Sequence, residues 1–166
     1  LGIIGFGGTG RSVAKRADAF GLNIRAIDKE AVDPSESVKT IESTAALNEL
    51  LSWSDVLCVC CPLTKETEKL INRQTLSQLK KGAYLINVTR GEIIDESALI
   101  ESLKSGHLRG AGLDVTPREP LPEDSELWSL PNVILTPHTA GASQYRASRN
   151  LDRFISNIEK FKKNRF

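Results

Sequence analysis

The chain opens LGIIGFGGTG, and this run constrains its fold more than any other stretch. Leu1 to Ile4 are too short and too apolar for an amphipathic element and read as a buried strand. They lead straight into Gly5-Phe6-Gly7-Gly8-Thr9-Gly10, with glycines spaced G-x-G-x-x-G. Val13, Ala14, Ala17 and Phe20 then recur at helical spacing, and Gly21 is a natural stop. Leu22 to Ile27 form a second strand, closed by Asp28, 18 residues after Gly10. A strand, a glycine turn that opens a helix, and a strand ending in an acid make a βαβ unit suited to a dinucleotide. Gly5 allows the tight turn, Gly7 lets the backbone approach a pyrophosphate, and Gly10 lets helix and strand pack closely. The helix N-terminus offers free N–H groups and partial positive charge to the phosphates. Asp28 is suited to accept hydrogen bonds from both hydroxyls of the adenosine ribose and to repel a 2′-phosphate. NAD is therefore expected over NADP, a preference that Lys29 slightly weakens. The competing reading is a glycine-rich turn without a ligand, Asp28 being a plain strand-end carboxylate.

The rest of the chain repeats the alternation. Val38 to Ile41 suit a short third strand. Leu47, Leu50 and Leu51 mark a helix face with Ser43 or Thr44 as its cap. Asp55 opens a strand through Cys60 whose continuous apolar character fits a parallel strand covered on both faces. A polar loop (LTKETEK) and a short helix over 73–80 follow, and Gly82 ends that helix. Ala83 to Val88 form another strand, Asp95 caps a helix carrying Leu99 and Leu103, and Gly106 closes it. Leu108 to Val115 and Val133 to Leu135 are further strands, and a last helix over 143–162 carries Leu151, Ile155 and Ile158 on one face. Strands alternating with helices imply right-handed crossovers. The fold class expected is α/β, a doubly wound parallel sheet of the Rossmann-like kind, with residues 1–166 forming a single dinucleotide-binding domain.

Charge and cysteine content remove other classes. Lys+Arg 22 against Asp+Glu 21 leaves a net charge of +1, too little field to hold nucleic acid or anionic lipid. The basic tail of Lys160, Lys162, Lys163 and Arg165 reads as a solvated helix end that complements the helix dipole. No apolar stretch approaches the length of a membrane span. Cys58, Cys60 and Cys61 sit together with a spacing that suits neither zinc nor a disulfide framework, so no metal is expected. Free buried thiols point to a reducing, cytoplasmic compartment.

In a doubly wound sheet, ligands bind beyond the carboxyl ends of the strands. Cys61-Pro62-Leu63, Thr89-Arg90-Gly91, Asp114 and Thr136-Pro137-His138 each follow such an end, and Glu119 lies a few residues past Asp114. A cation, two acids and an imidazole at one edge suit carbonyl reduction. Histidine handles a proton near neutral pH, a carboxylate beside it fixes the ring, and arginine clamps a substrate carboxylate. Taken singly, each has a structural reading. His138 and His107 can be hydrogen-bonded loop histidines, Arg90 can pair with Asp114 or Glu119, and Glu119 can be solvated.

Gly5-Phe6-Gly7-Gly8-Thr9-Gly10 with Asp28, Asn87-Val88-Thr89-Arg90-Gly91, Gly112-Leu113-Asp114-Val115 with Glu119-Pro120-Leu121-Pro122, and Pro137-His138-Thr139-Ala140-Gly141 together resemble the D-isomer-specific 2-hydroxyacid dehydrogenases. The resemblance implies that Arg90 binds substrate, that His138 is the catalytic histidine and that Glu119 is its acidic partner. It implies that Gly5, Gly7, Gly8, Thr9, Gly10 and Asp28 hold NAD. Cys61, Pro62, Thr67, Val88, Thr89, Arg90, Asp114, His138 and Gly141 are implied as further positions along the cofactor. Gly8 departs from an arginine often found there, and Thr116 replaces a common aromatic. In this family the dinucleotide domain is inserted into a substrate domain, so the expectation is a part of a longer two-domain chain with the substrate domain largely absent. By itself such a part is expected to bind NAD and to turn over poorly. The intact protein is expected to be a homodimer acting on a small 2-oxo or 2-hydroxy acid. A non-enzymatic NADH-responsive module, like the family's corepressor relatives, is the alternative. An adenosylhomocysteine hydrolase-like domain and a formate dehydrogenase fit the Arg90, Glu119 and His138 set less well.

Overall fold

A computed structural model describes residues 1–163 of the chain; Arg165 of the basic tail lies outside them. Seven strands form one sheet: β1 (Gly2–Ile4), β2 (Arg25–Asp28), β3 (Ile41–Ser43), β4 (Val56–Val59), β5 (Ala83–Asn87), β6 (Leu108–Leu113) and β7 (Val133–Leu135). Their order is β3-β2-β1-β4-β5-β6-β7 and every neighbouring pair is parallel. The order reverses between β1 and β4, which opens a crevice at the carboxyl ends of these two strands. The glycine turn leaves β1 at that point.

Helices α2 (Leu47–Trp53), α3 (Arg73–Gln78) and α4 (Glu96–Lys104) cover one face. Leu50, Leu51, Leu76, Leu99 and Leu103 from these helices pack on Ile4, Ile27, Leu57, Val59 and Leu85 of the sheet. Removing each such leucine from water contributes on the order of 1.5–3 kcal/mol. On the opposite face α1 (Gly8–Ala19) lays Ala14 against Ile3, Phe6, Ala26 and Val38.

The alternation of elements agrees with the expectation, and several ends do not. Phe20, read as part of the α1 apolar face, caps the helix and is 84% exposed. Gly21 takes φ +73°, the Leu22 N–H donates to the Ala17 carbonyl and the Gly21 N–H to the Asp18 carbonyl, a Schellman ending that stops the helix one residue early. The third strand begins at Ile41, while Val38 is buried as a loop anchor. Neither Ser43 nor Thr44 caps α2: a 3₁₀ turn over Thr44–Ala46 intervenes and no side-chain cap bond forms there. Asp95 does cap α4, accepting from the Ala98 N–H at 3.2 Å. His107 is the hydrogen-bonded loop histidine expected, its Nε2 2.9 Å from the Leu76 carbonyl. The final helix, α5 (Arg146–Lys162), carries Leu151, Ile155 and Ile158 on one face, but none of its residues is buried.

Candidate active site

The glycine turn is shaped by contacts that exclude side chains. Gly5 sits at φ +91°, and a Cβ there would stand 2.5 Å from the Cys61 nitrogen. A Cβ on Gly10 would stand 2.2 Å from the Gly5 carbonyl oxygen, so α1 and β1 approach only through glycine. At Gly7 and Gly8 a Cβ would meet nothing within 4 Å. Both are exposed; Gly7 is the N-cap and Gly8 the first residue of α1, whose first internal bond runs from the Arg11 N–H to the Gly7 carbonyl (3.0 Å). Helix geometry leaves the amides of Gly8, Thr9 and Gly10 without an intrahelical acceptor. The turn therefore presents open backbone and free donors, as an anionic pyrophosphate requires.

Asp28 closes β2 beside this turn. Its Oδ2 accepts from the Phe6 N–H at 2.6 Å and its Oδ1 from the Glu30 N–H at 2.9 Å. The carboxylate is thus fixed in direction. Across the crevice, Cys61 is buried and Pro62 exposed; the Thr67 hydroxyl donates to the Pro62 carbonyl (2.7 Å) and accepts from the Thr64 N–H (2.8 Å), closing the 62–67 loop. Burial pushes the Cys61 thiol up to about 11, so it stays protonated near neutrality and serves as wall rather than nucleophile. Cys58 is buried as expected; Cys60 is only half-buried, its sulfur 3.6 Å from that of Cys58, and no cysteine is in a disulfide.

Three strand ends carry the remaining groups. After β5, buried Asn87 accepts at Oδ1 from the Thr89 N–H and hydroxyl (both 3.1 Å) and donates from Nδ2 to the Arg90 carbonyl (2.8 Å). This Asx turn aims Arg90, which is exposed and donates to the Thr89 carbonyl at 2.6 Å. Among the described residues Arg90 forms no ion pair, so the structural pairing with Asp114 or Glu119 is not made. Gly91 stands where any Cβ would fall 1.9 Å from the Thr116 carbonyl carbon, so the Arg90 turn rests directly on the loop that leads to Glu119.

Asp114, 5% exposed, ties down the segment after β7. Its Oδ1 accepts from the Thr136 hydroxyl (2.5 Å) and the Thr139 N–H (2.9 Å), and its Oδ2 from the Ala140 N–H (2.8 Å). The Asp114 carbonyl accepts from the His138 N–H at 2.8 Å. The corner so formed holds His138 at φ +54°, a left-handed backbone uncommon outside glycine. From there the His138 Nδ1 lies 2.7 Å from Glu119 Oε2, while Glu119 Oε1 accepts from the Thr116 N–H at 3.1 Å. With Nδ1 turned to the carboxylate, Nε2 is the ring atom left for a substrate. Both side chains remain partly open, at 48% and 38% exposure. A cavity of about 670 Å³ borders the pair, walled by Leu121, Trp128, Leu135 and Pro137. A second, of about 290 Å³, is lined by Val88, Asp114, Thr136 and Thr139. Asp114 and Thr136 line both cavities. Gly141 lies at the exposed end of the same corner.

The two acids follow different balances. For Asp114, burial works to raise the carboxyl, and the hydrogen bonds from Thr136, Ala140 and Thr139 outweigh it, so the group is held below its ordinary 3.8. For Glu119, the hydrogen bond from His138 leads, helped by the Thr116 amide and the charges of His138 and Arg90, and holds it below 4.5. A carboxyl depressed in the folded state contributes stability that is complete above its ordinary value and lost as pH falls through the folded one. The carboxyl titration read from the amide proton shifts of Thr139 and Ala140 is therefore expected to have its midpoint below pH 3.8. The midpoint read from the Thr116 amide is expected below 4.5. NMR transitions centred above those values would contradict the bonding described.

The structure thus brings Arg90, Glu119 and His138 to the sheet edge that carries the glycine turn. Asn87, Gly91, Thr116 and Thr136 are supporting residues that sequence reasoning gave no role. The Asn-x-Thr spacing at a strand end was a readable Asx-turn signal; the Gly91 contact, made by residues distant in sequence, left none.

A seven-stranded parallel sheet with an open glycine turn at its switch point and an acid-supported imidazole on the same edge defines a nicotinamide-dinucleotide-binding oxidoreductase domain. Residues 1–140 match the model of the D-isomer specific 2-hydroxyacid dehydrogenase NAD-binding domain, and the chain belongs to that family. It is 40% identical over 164 residues to a glycerate dehydrogenase of Methylorubrum extorquens, covering 97% of this chain and 49% of the relative. It is 40% identical over 163 residues to a glyoxylate reductase of Korarchaeum cryptofilum, covering 98% and 49%. The chain spans about half the length of the curated relatives it matches. Among solved structures, a D-isomer specific 2-hydroxyacid dehydrogenase from Xanthobacter autotrophicus Py2 in complex with NADPH and MES superposes with a TM-score of 0.89 at 36% identity, over 100% of this chain and 67% of that one. An NADPH-dependent glyoxylate/hydroxypyruvate reductase from Sinorhizobium meliloti, in complex with NADP and sulfate, gives 0.86 at 33% identity over 98% and 52%.

Proposed function

We propose that residues 1–166 are the dinucleotide-binding domain of a longer two-domain enzyme that interconverts a small 2-oxo acid and its D-2-hydroxy acid. The observation that carries this reading is the 2.7 Å contact of His138 Nδ1 with Glu119 Oε2, on the same sheet edge as Arg90 and the glycine turn. Gly5, Gly7, Gly8, Thr9 and Gly10 would hold the pyrophosphate and Asp28 the adenosine ribose. Cys61, Pro62, Thr67, Val88, Thr89, Asp114 and Gly141 would line the rest of the cofactor, with Arg90 and His138 at its reactive end. When bound, the nicotinamide would supply or accept hydride. Arg90 binds the substrate carboxylate through charge-assisted hydrogen bonds. His138 holds at Nε2 the proton that a carbonyl oxygen gains on reduction, and Glu119 fixes the ring in that orientation.

The dehydrogenase and reductase names of the relatives favour the enzyme over the corepressor-like alternative. The near-zero net charge supports no nucleic-acid partner, and among the described residues no helix is long and apolar enough to cross a membrane. The free thiols support a cytoplasmic setting, and the homodimer is carried over from the resemblance.

The fixed Asp28 carboxylate supports NAD as the preferred cofactor, although solved relatives hold NADP or NADPH. Fluorescence titration tests this. NADH is expected to bind, and Asp28→Ser is expected to weaken it about tenfold, the loss of about 1.4 kcal/mol of hydrogen bonding to a charged group, while NADPH binding improves. No binding of either dinucleotide to the wild-type chain would end the proposal.

A further inference from the structure

Arg11 stands in the first turn of α1, directly after Gly10, and its guanidinium faces no acid: among the described residues it forms no ion pair. One nitrogen donates to the Pro34 carbonyl at 3.2 Å and another to the Asp33 carbonyl. Its Cζ lies 4.9 Å from the centroid of the Phe6 ring. Phe6 is fully buried, and its N–H is the donor that fixes Asp28 Oδ2. A single side chain therefore joins the glycine turn to the loop that leaves β2 at Asp28.

That loop, residues 29–37, has anchors at both ends. Glu30 is held by the Asp28 carboxylate. Ser35 and Val38 bond each other twice, with the Val38 N–H on the Ser35 hydroxyl (3.1 Å) and the Ser35 N–H on the Val38 carbonyl (2.9 Å). Between these anchors, Ala31, Asp33 and Pro34 are exposed and Val32 half-buried, and Arg11 supplies the hydrogen bonds that fasten the carbonyls of 33 and 34 to α1. A planar guanidinium reaches two adjacent carbonyls at once, which an ammonium cannot reproduce. Without the strap this span keeps its end anchors and the packing of Val32 on the Phe6 cluster, and the carbonyls of 33 and 34 lose the hydrogen bonds from Arg11.

We propose that Arg11 is a positioning residue for the adenosine half of the dinucleotide. It holds the 29–34 segment and the Asp28 carboxylate in one arrangement before ligand arrives. This rests on the reading of Asp28 as the ribose acceptor given above. If the untethered segment spends about a tenth of its time in the competent arrangement, the apparent Kd rises about tenfold, because affinity scales with the competent fraction.

Calorimetric titration of NADH and of ADP-ribose into the wild-type chain, Arg11→Met and Arg11→Lys tests it. Methionine keeps an apolar stem over Phe6 and has no donor; lysine keeps the charge without the fork. Arg11→Met is expected to raise the Kd of NADH and of ADP-ribose by the same factor, about tenfold. Arg11→Lys is expected to fall between Met and wild type, with the thermal midpoint of both variants within about 3 °C of wild type. Unchanged ADP-ribose affinity in Arg11→Met overturns the assignment while leaving the proposed function standing, and so does a lowered thermal midpoint without an affinity change. A wild-type chain that binds NADH and not ADP-ribose overturns it as well. Failure of the wild-type chain to bind NADH overturns both readings.

Discussion

His138→Gln is expected to lower turnover of a small 2-oxo acid about 10³-fold, the central range for loss of a positioned acid or base and equivalent to about 4 kcal/mol of barrier. The assay belongs in a chain that also carries the half which the relatives have and this one does not span. NADH affinity is expected to hold, because the proposed adenosine and pyrophosphate contacts are those of the glycine turn and Asp28. Glutamine can still meet Glu119 but has no ring nitrogen to hold and deliver a proton. The left-handed backbone at His138 calls for a control, since glutamine tolerates φ +54° less readily than histidine. His138→Asn accepts that backbone and also lacks an imidazole, so the two variants should fall together. Turnover within a few-fold of wild type in His138→Asn would remove the assigned role, and a loss confined to glutamine would locate the defect in the backbone.

The largest stability effect is expected at Gly91→Ala. The new methyl would stand 1.9 Å from the Thr116 carbonyl carbon and 2.2 Å from the Pro117 nitrogen, both backbone atoms with no rotamer to escape into. Overpacking of this kind costs about 3 kcal/mol, a fall in thermal midpoint of about 10 °C for a chain of this size. Any relief must separate the Arg90 turn from the loop that carries Glu119, so substrate affinity is expected to fall along with stability. Calorimetry would contradict this packing if Gly91→Ala melted with wild type. Gly21, where nothing stands within 4 Å of a Cβ, offers the contrast: its constraint is a φ of +73°, and substitution there strains a turn without disturbing the site.

The sheet was legible because parallel strands covered on both faces read as short apolar runs, and β1 and β4 illustrate this. The site was legible where chemistry sits at strand ends: Arg90, Asp114 and His138 each follow a strand, and the sheet topology brings them to one edge. Helix boundaries were less so. Gly21 was visible as a stop, yet Phe20 was drawn into the helix face because periodicity cannot see a Schellman ending. The capping box of Asn72 with Thr75 escaped notice because the apolar run that it precedes is short. The Gly91 contact and the Arg11 strap depend on segments 25 and 22 residues apart in sequence approaching in space, and no local pattern encodes that approach.

The positive φ at His138 has a consequence for how this corner can change over time. On the proposed role of His138, most replacements would fail twice, once for lack of an imidazole and again because most side chains are sterically unwelcome in that basin. Asparagine and glycine escape the second penalty and still incur the first. Drift here is filtered by stereochemistry before it is filtered by chemistry, so a lineage that abandoned catalysis and kept the fold would be expected to show asparagine or glycine at this position ahead of any bulkier side chain.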